Sequence, residues 1–207
     1  MLLANGRRRQ GHRCLRSADR CGGCGQWRFF VSDGHGGNAS GTGRVLKFSK
    51  DGRFIKTWGH RGSAPGDFDD PHDIFVGGSL GRVYVADRLN SRIQVFDQDG
   101  NFVAAWHQFG QPSSVFVGTD DKLYVGVAFR DEASRRNATS RVQPGELRGI
   151  MVGNAIDGSL LAFIPDPTDL ATVAPGTSAS GIAADAMGNV YAADVGAHKV
   201  RKYLRLR

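Results

Sequence analysis

The sequence predicts an all-β fold built from repeated antiparallel sheets, and two observations support this prediction. No long segment has the apolar spacing of an amphipathic helix, whereas short runs of alternating apolar and polar residues recur from residue 29 onward. Asp-Gly pairs separate several of these runs, at positions 51–52, 99–100 and 157–158. Asp-Gly between alternating runs predicts a tight hairpin, because glycine adopts the positive φ that such turns need.

One template describes three of the repeated units. A run ending in Asp leads, after a polar loop, to a second run that starts with Arg or Lys. The template fits Phe30–Asp33 with Arg44–Phe48, Tyr84–Asp87 with Arg92–Phe96, and Tyr191–Asp194 with Lys199–Tyr203. A further copy, Leu123–Gly126, resumes at Gly149–Val152 after a longer polar stretch.

The most complete unit predicts four strands, over about 72–77, 81–87, 92–97 and 101–106, and it closes with Trp106. An earlier unit closes in the same way with Trp58. A unit of about 40 to 48 residues has the size of a β-propeller blade. Counting three, four, four and three strands along the chain, we predict three and a half blades of four-stranded antiparallel sheet.

The whole chain has a net charge of +7, and most of it comes from residues 1–28, which hold seven arginines and one acidic residue. We predict that residues 1–28 are a disordered or misassigned basic leader and that residues 29–207 form the propeller. Because residues 29–207 are nearly neutral, we do not expect nucleic acid as a partner. No apolar stretch approaches the roughly 18 residues of a membrane span. No secretory signal pattern is visible, so the compartment is not predicted.

The three cysteines lie between residues 14 and 24, so no disulfide framework is expected in the repeated body. Cys14, Cys21 and Cys24, with His12, have a knuckle-like spacing, but a second, well-separated pair of zinc ligands is missing. We therefore interpret this cluster as part of the leader rather than as a metal site.

The stretch PHDIFVGGSLGRVYVADRLNSRIQVFDQDGNFVAAW resembles an NHL repeat. Together with VSDGHGG and RVLKFSKDGRFIKTWG, it is also similar to the lyase family that completes peptide amidation, peptidyl-α-hydroxyglycine α-amidating lyase. The resemblance implies a six-bladed propeller with zinc held by three histidines along a central channel. Against the six blades of that family, we expect this chain to form only part of the ring, which oligomerisation would be one way to complete. The family is commonly secretory or exported.

The resemblance also implies site residues. His72 matches a zinc histidine, Arg88 matches a substrate-binding arginine, and His35 stands where the family has its tyrosine base. Ser180 stands in place of a second zinc histidine, and hydroxyls are not usual zinc ligands. In the family the third zinc histidine lies in an earlier blade, and no such blade is recognisable upstream of residue 29. We therefore expect no zinc unless the chain is a lyase of this type.

The residues themselves leave other interpretations open. His72 also fits a histidine that lines a solvated channel, and Arg88 fits a residue that pairs with Asp73 or lies on the surface. Asp87 fits a cap of the following loop through backbone N–H groups. We therefore predict a noncatalytic NHL-type scaffold, without a cofactor, that binds a protein, peptide or carbohydrate. The alternative is a truncated or degenerate amidating lyase, in which zinc-dependent C–N cleavage gives a peptide amide and glyoxylate.

Overall fold

A computed structural model describes residues 12–15, 28–34, 42–127, 149–167, 179–195 and 198–205. The regular structure of these residues consists of β-strands, which form four antiparallel sheets. The all-β prediction is therefore confirmed for this part of the chain. Within it, no helix has the length and apolar character needed to cross a membrane.

In each sheet, strands that follow one another in the chain are neighbours, and we number the sheets as blades 1 to 4. Blade 1 contains β1 (His12–Leu15), β2 (Arg28–Asp33), β3 (Arg44–Ser49) and β4 (Phe54–Trp58). Blade 2 contains β5 (Pro71–Gly77), β6 (Arg82–Asp87), β7 (Arg92–Phe96) and β8 (Phe102–Trp106). Blade 3 contains β9 (Pro112–Val117), β10 (Lys122–Val127), β11 (Gly149–Asn154) and β12 (Leu160–Pro165). Blade 4 contains β13 (Ala179–Ala184), β14 (Val190–Asp194) and β15 (Lys199–Tyr203).

The four strands of blade 2 begin and end within one residue of their predicted bounds. Blade 1 has four strands rather than the predicted three, because His12–Leu15 pairs antiparallel with β2. Backbone pairing does not require the alternating apolar pattern on which our prediction depended. Residues 1–11 and 16–27 of the predicted leader lie outside the described residues, so its boundary at residue 28 stays a prediction.

Apolar side chains fill the space between successive blades. Phe30 and Val45 of blade 1 pack with Ile74, Val85 and Phe96 of blade 2 in one buried cluster. Similar clusters lie between blades 2 and 3 and between blades 3 and 4. The first strands of these blades, β5, β9 and β13, lie side by side, so we call them the inner strands. This face-to-face stacking around neighbouring inner strands is the arrangement of a β-propeller.

A tryptophan at the end of one blade packs on the Asp-Gly turn of the next blade. A methyl group placed on Gly100 would lie 2.9 Å from the ring of Trp58, and one placed on Gly158 would lie 2.6 Å from the ring of Trp106. Both glycines have positive φ, 81° and 79° respectively. Gly52, in the corresponding turn of blade 1, has a φ of 85°, but its methyl group would meet no described atom within 4 Å. Glycine is thus required by conformation at all three turns and by space at two of them.

A buried lysine also links blades 1 and 2. The ammonium group of Lys47, whose side chain is 2% exposed, donates a 2.5 Å hydrogen bond to the carbonyl oxygen of Gln98. It also lies 2.9 Å from a carboxylate oxygen of Asp99 and 5.7 Å from the centre of the Phe30 ring. The hydrogen bond and charge of Lys47 lower the pKa of Asp99. The buried charge of Lys47 is therefore balanced by groups of the turn that also contains Gly100.

Candidate functional site

The inner strands share a β-bulge near their first residues. In β5 the pairing with β6 skips His72, and the corresponding pairings skip Ser113 in β9 and Ser180 in β13. A bulge inserts one extra residue into a strand and redirects its side chain. His72, Ser113 and Ser180 therefore occupy equivalent positions in three successive blades, at what we call the bulge end of the inner strands. This equivalence agrees with the alignment of Ser180 with a histidine position.

His72 is buried at this end, with 4% of the residue exposed. Its Nδ1 lies 2.6 Å from the carbonyl oxygen of Ser113, which accepts a hydrogen bond. The neutral ring therefore carries its proton on Nδ1, and Nε2 is the basic nitrogen. Metal-bound histidines commonly show this same contact to a backbone carbonyl. The bond also joins blade 2 to blade 3.

The neighbouring Asp73 joins the same two blades. One carboxylate oxygen accepts a 3.0 Å hydrogen bond from the backbone N–H of Ile74, and the other accepts one of 3.0 Å from the N–H of Val115 in β9. Asp73 is itself buried. It therefore fixes the spacing between β5 and β9 beside His72.

Arg88 pairs with Asp70 rather than with Asp73, the partner that one of the two interpretations of the sequence gave it. The Nε of Arg88 donates a 2.8 Å hydrogen bond to the carboxylate of Asp70, whose side chain is 1% exposed. Asp70 lies opposite Arg88 at the end of the β5–β6 pair, where the backbone N–H of Arg88 donates a 3.2 Å hydrogen bond to the carbonyl oxygen of Asp70. Arg88 keeps 26% of its side chain exposed.

Asp87 is a structural anchor, although not through the contacts that the sequence predicted. Instead of capping the following loop with backbone N–H groups, its carboxylate accepts from the backbone N–H of Asp69 (2.8 Å), in the loop that precedes β5. It also accepts from the side chains of Asn90 (2.9 Å) and Arg92 (2.7 Å). Burial raises the pKa of Asp87 to about 6, whereas the hydrogen bonds from Asn90 and Arg92 and the Arg92 charge act in the opposite direction.

The described residues do not fit a zinc ion. None of their histidine, cysteine, aspartate and glutamate side chains form a group of three or more that could hold a metal. At the bulge end, the equivalents of His72 are two serines, which are not usual zinc ligands. His35, predicted as a substitute base, lies outside the described residues, as do Cys21 and Cys24. The roles suggested for His35, His72 and Arg88 stay predictions.

A cleft of about 570 Å³ lies at the other end of the inner strands, where β5, β9 and β13 finish. With a rise of about 3.3 Å per residue, the seven residues of β5 place this cleft about 20 Å from the bulge end. Phe75 and Phe116 line the cleft with an edge-to-face contact, their ring centres 5.0 Å apart. Tyr124, 6.2 Å from Phe116, lines it as well.

Polar groups form the rim of the cleft. Ser79, Thr119, Asp120 and Asp185 come from the turns that follow the inner strands, and Arg205 follows β15. The carboxylate of Asp185 is already occupied by its own turn, since it accepts from Asn189 and Tyr191. The hydrogen bond from the Asn189 side chain is the main cause that lowers the pKa of Asp185. An aromatic surface with hydroxyl and charged groups around it suits an amphipathic ligand.

The cleft was not predicted, although the sequence carries a signal for it. Phe-Val-Gly ends the inner strand of blade 2 at 75–77 and recurs at 116–118 in blade 3. A phenylalanine that repeats at one position of successive inner strands indicates an aromatic cluster near a shared axis.

Comparison with known proteins agrees with this architecture. Residues 68–96 match the NHL repeat model. The chain is 33% identical over 183 residues to human NHL repeat-containing protein 3, covering 86% of this chain and 46% of that protein. It is 35% identical over 113 residues to peptidyl-glycine alpha-amidating monooxygenase A of Xenopus laevis, covering 47% of this chain and 12% of that protein. The chain thus spans less than half the length of either relative.

Two solved structures share the fold at low sequence identity. A streptogramin B lyase superimposes with a TM-score of 0.51 at 17% identity, covering 92% of this chain and 53% of the lyase. Virginiamycin B lyase from Staphylococcus aureus gives 0.52 at 12% identity, covering 86% and 52%. At these identities the likeness concerns the fold alone. The match at residues 68–96, the similar NHL protein and the stacked sheets together support an NHL-repeat β-propeller for the described blades.

Proposed function

We propose that these blades are a noncatalytic scaffold that binds a protein, peptide or carbohydrate ligand in the cleft at the ends of β5, β9 and β13. The observation that carries this proposal is the combination of an aromatic pair, Phe75 and Phe116, with hydroxyl and charged groups on the rim. Such a combination lets a ligand bury apolar surface while its polar groups keep hydrogen bonds.

The contacts at the two ends of the inner strands favour the cleft over the bulge end as the binding site. At the bulge end, His72 and Asp73 use their polar atoms to hold β5 against β9. At the cleft, Ser79 and Thr119 are exposed turn residues. Rim side chains in turns can change their contacts without disturbing the sheets.

Binding panels test this function directly. The 207-residue protein is applied to arrays of glycans and of short peptides, and each hit is measured by titration calorimetry. We expect Thr119→Trp, which places a large ring at the cleft, to weaken binding about tenfold or more. The matched control is Lys50→Trp, an exposed turn residue of blade 1. If both variants bind as the parent protein does, the ligand site lies elsewhere and the cleft assignment fails.

A second candidate is amidating-lyase activity, and the contact that sets the His72 tautomer favours it. That tautomer leaves Nε2 as the basic atom, and a similar protein is named for peptide amidation. The activity needs groups beyond the described residues, because those residues do not fit zinc. Near-stoichiometric zinc in the purified protein, together with glyoxylate released from an α-hydroxyglycine peptide, would support it. His72→Ala should then abolish both, whereas metal-free and inert protein favours the scaffold.

A further inference from the structure

Three tight turns surround the mouth of the cleft, and they share one construction. In each turn the backbone N–H of the fourth residue donates a hydrogen bond to the carbonyl oxygen of the first residue. The turns span residues 78–81, 118–121 and 185–188. Their third residues, Leu80, Asp120 and Met187, therefore hold equivalent positions around the mouth. Each of these three residues lies next in the chain to a residue that lines the cleft.

Two of the three equivalent positions hold apolar side chains that solvent reaches. Leu80 is 51% exposed and Met187 is 71% exposed. Leu204, the neighbour of Arg205 on the rim, is 66% exposed. Single exposed apolar residues are common on protein surfaces, but a group of them around an aromatic cleft indicates an interaction site. A ligand that covered these side chains would gain binding free energy from the apolar area it removes from water.

The charged groups at the mouth differ in how far they are already engaged. Asp120 forms an ion pair with Lys122, and the carboxylate of Asp185 is held by its own turn. Arg205 packs on this last turn, since a methyl group placed on Gly188 would lie 2.9 Å from the Cδ of Arg205. Within the described residues, no carboxylate lies within ion-pair distance of the Arg205 guanidinium. The mouth therefore offers positive charge to an acidic group of a ligand.

The aromatic floor of the cleft favours a side chain over a sugar ring. Phe75 and Phe116 meet edge to face, with 62° between their planes, so they present no broad flat surface on which a sugar ring could stack. A compact apolar side chain can contact both rings at once. Met187 and Arg205 at the mouth are also of residue types that are enriched at protein–protein interfaces.

We propose that the cleft recognises a polypeptide segment in which a large apolar side chain stands beside an acidic residue. The apolar side chain enters the cleft and packs on Phe75 and Phe116. Flanking apolar groups of the segment cover Leu80 and Met187, and the acidic residue pairs with Arg205. This inference rests on the proposed function, because it names the ligand class of the same cleft.

A library of random short peptides displayed on phage is the probe, and the 207-residue protein is the immobilised target. We expect the enriched sequences to share a large apolar residue with Asp or Glu next to it. Fluorescence anisotropy then measures one enriched peptide and two variants of it. Replacing its acidic residue by Lys should weaken binding about two- to fivefold, as for an exposed charge pair. Replacing its apolar residue by Ala should weaken binding about tenfold or more.

Variants of the protein locate the bound peptide. Arg205→Glu should reverse the charge preference, so that the Lys peptide binds more tightly than the acidic peptide. The double variant Leu80→Ser with Met187→Ser should weaken binding about tenfold. The matched controls are Arg53→Glu and Val103→Ser, which change an exposed arginine and an exposed valine outside the cleft and should leave affinity unchanged.

The inference is wrong if no such sequence is enriched, if the double variant binds as the parent protein does, or if Arg205→Glu leaves the charge preference unaltered. Oligosaccharides such as maltotriose and chitotriose separate this failure from failure of the proposed function. If they bind and Thr119→Trp blocks them while no peptide is enriched, the cleft is a ligand site but the polypeptide inference is wrong. If enriched peptides bind equally well to Thr119→Trp and to the double variant, both proposals are wrong.

Discussion

Replacing Gly100 by alanine tests whether the packing of Trp58 on this turn holds blades 1 and 2 together. The added methyl group costs energy in two ways. An L-residue at positive φ costs about 1–2 kcal/mol. Contact at 2.9 Å with the Trp58 ring forces a shift of the ring or the turn, and overpacking of this kind costs about 1–3 kcal/mol. We therefore expect Gly100→Ala to lower the free energy of unfolding by about 2–5 kcal/mol.

Gly52→Ala is the matched control, because Gly52 has nearly the same φ but open space around the added methyl group. It should cost about 1–2 kcal/mol, which is the conformational part alone. Urea unfolding followed by tryptophan fluorescence gives both values, with equal m-values as a check on the comparison. In a Trp58→Ala background, the cost of Gly100→Ala should fall to that of Gly52→Ala. Equal costs in the parent protein, within about 0.5 kcal/mol, would refute the role of the Trp58 contact.

Three further substitutions test the buried contacts. Arg92→Met should cost about 3–5 kcal/mol, against less than about 1 kcal/mol for the exposed Arg53→Met, as measured by urea unfolding. Because Arg92 lowers the pKa of Asp87, removing Arg92 raises that pKa above 6. A carboxyl group with a raised pKa in the folded state makes the protein less stable as pH rises through that pKa. The cost of Arg92→Met should therefore be larger at pH 8 than at pH 5. Gly126→Ala, whose methyl group would lie 2.2 Å from a carbonyl oxygen of β13, should detach blade 4 and speed hydrogen exchange there selectively. Asp73→Asn should cost about 1–3 kcal/mol in urea unfolding and speed hydrogen exchange of the β9 amide that the carboxylate holds, and unchanged exchange there would contradict this role.

The strands of blade 2 could be predicted closely, because their limits are set by local chemistry. The Asp99-Gly100 turn and the alternation on either side of it need no long-range information. β1 could not be predicted in this way, since His12–Leu15 joins its sheet through backbone pairing with β2. The bulge at His72 was likewise hidden, because it depends on the register between two strands rather than on either strand alone.

The partners of charged residues were harder to predict than the strands. Arg88 pairs with Asp70 and not with Asp73, because strand register places Asp70 opposite Arg88 while the Asp73 carboxylate binds the backbone of the adjacent blade. Asp87 binds a loop that precedes it by 18 residues, a contact that only the folded sheet creates. The cleft likewise forms only where three blades meet in the fold. The phenylalanine repeated in the inner strands nevertheless indicates that one wall of the cleft is aromatic.

The contact between a tryptophan and a glycine turn always runs from one blade to the next blade along the chain in the two cases described. Trp58 and Trp106, the two tryptophans within the described ranges, each belong to one blade and pack on the next, so Trp58 reports on blade 2 and Trp106 reports on blade 3. Local opening of one blade would therefore change the fluorescence intensity or emission wavelength of the tryptophan in the preceding blade. The tryptophan of the opened blade itself would stay packed on the following blade. Two single-tryptophan versions of the chain would turn this asymmetry into an optical readout of which blade opens first.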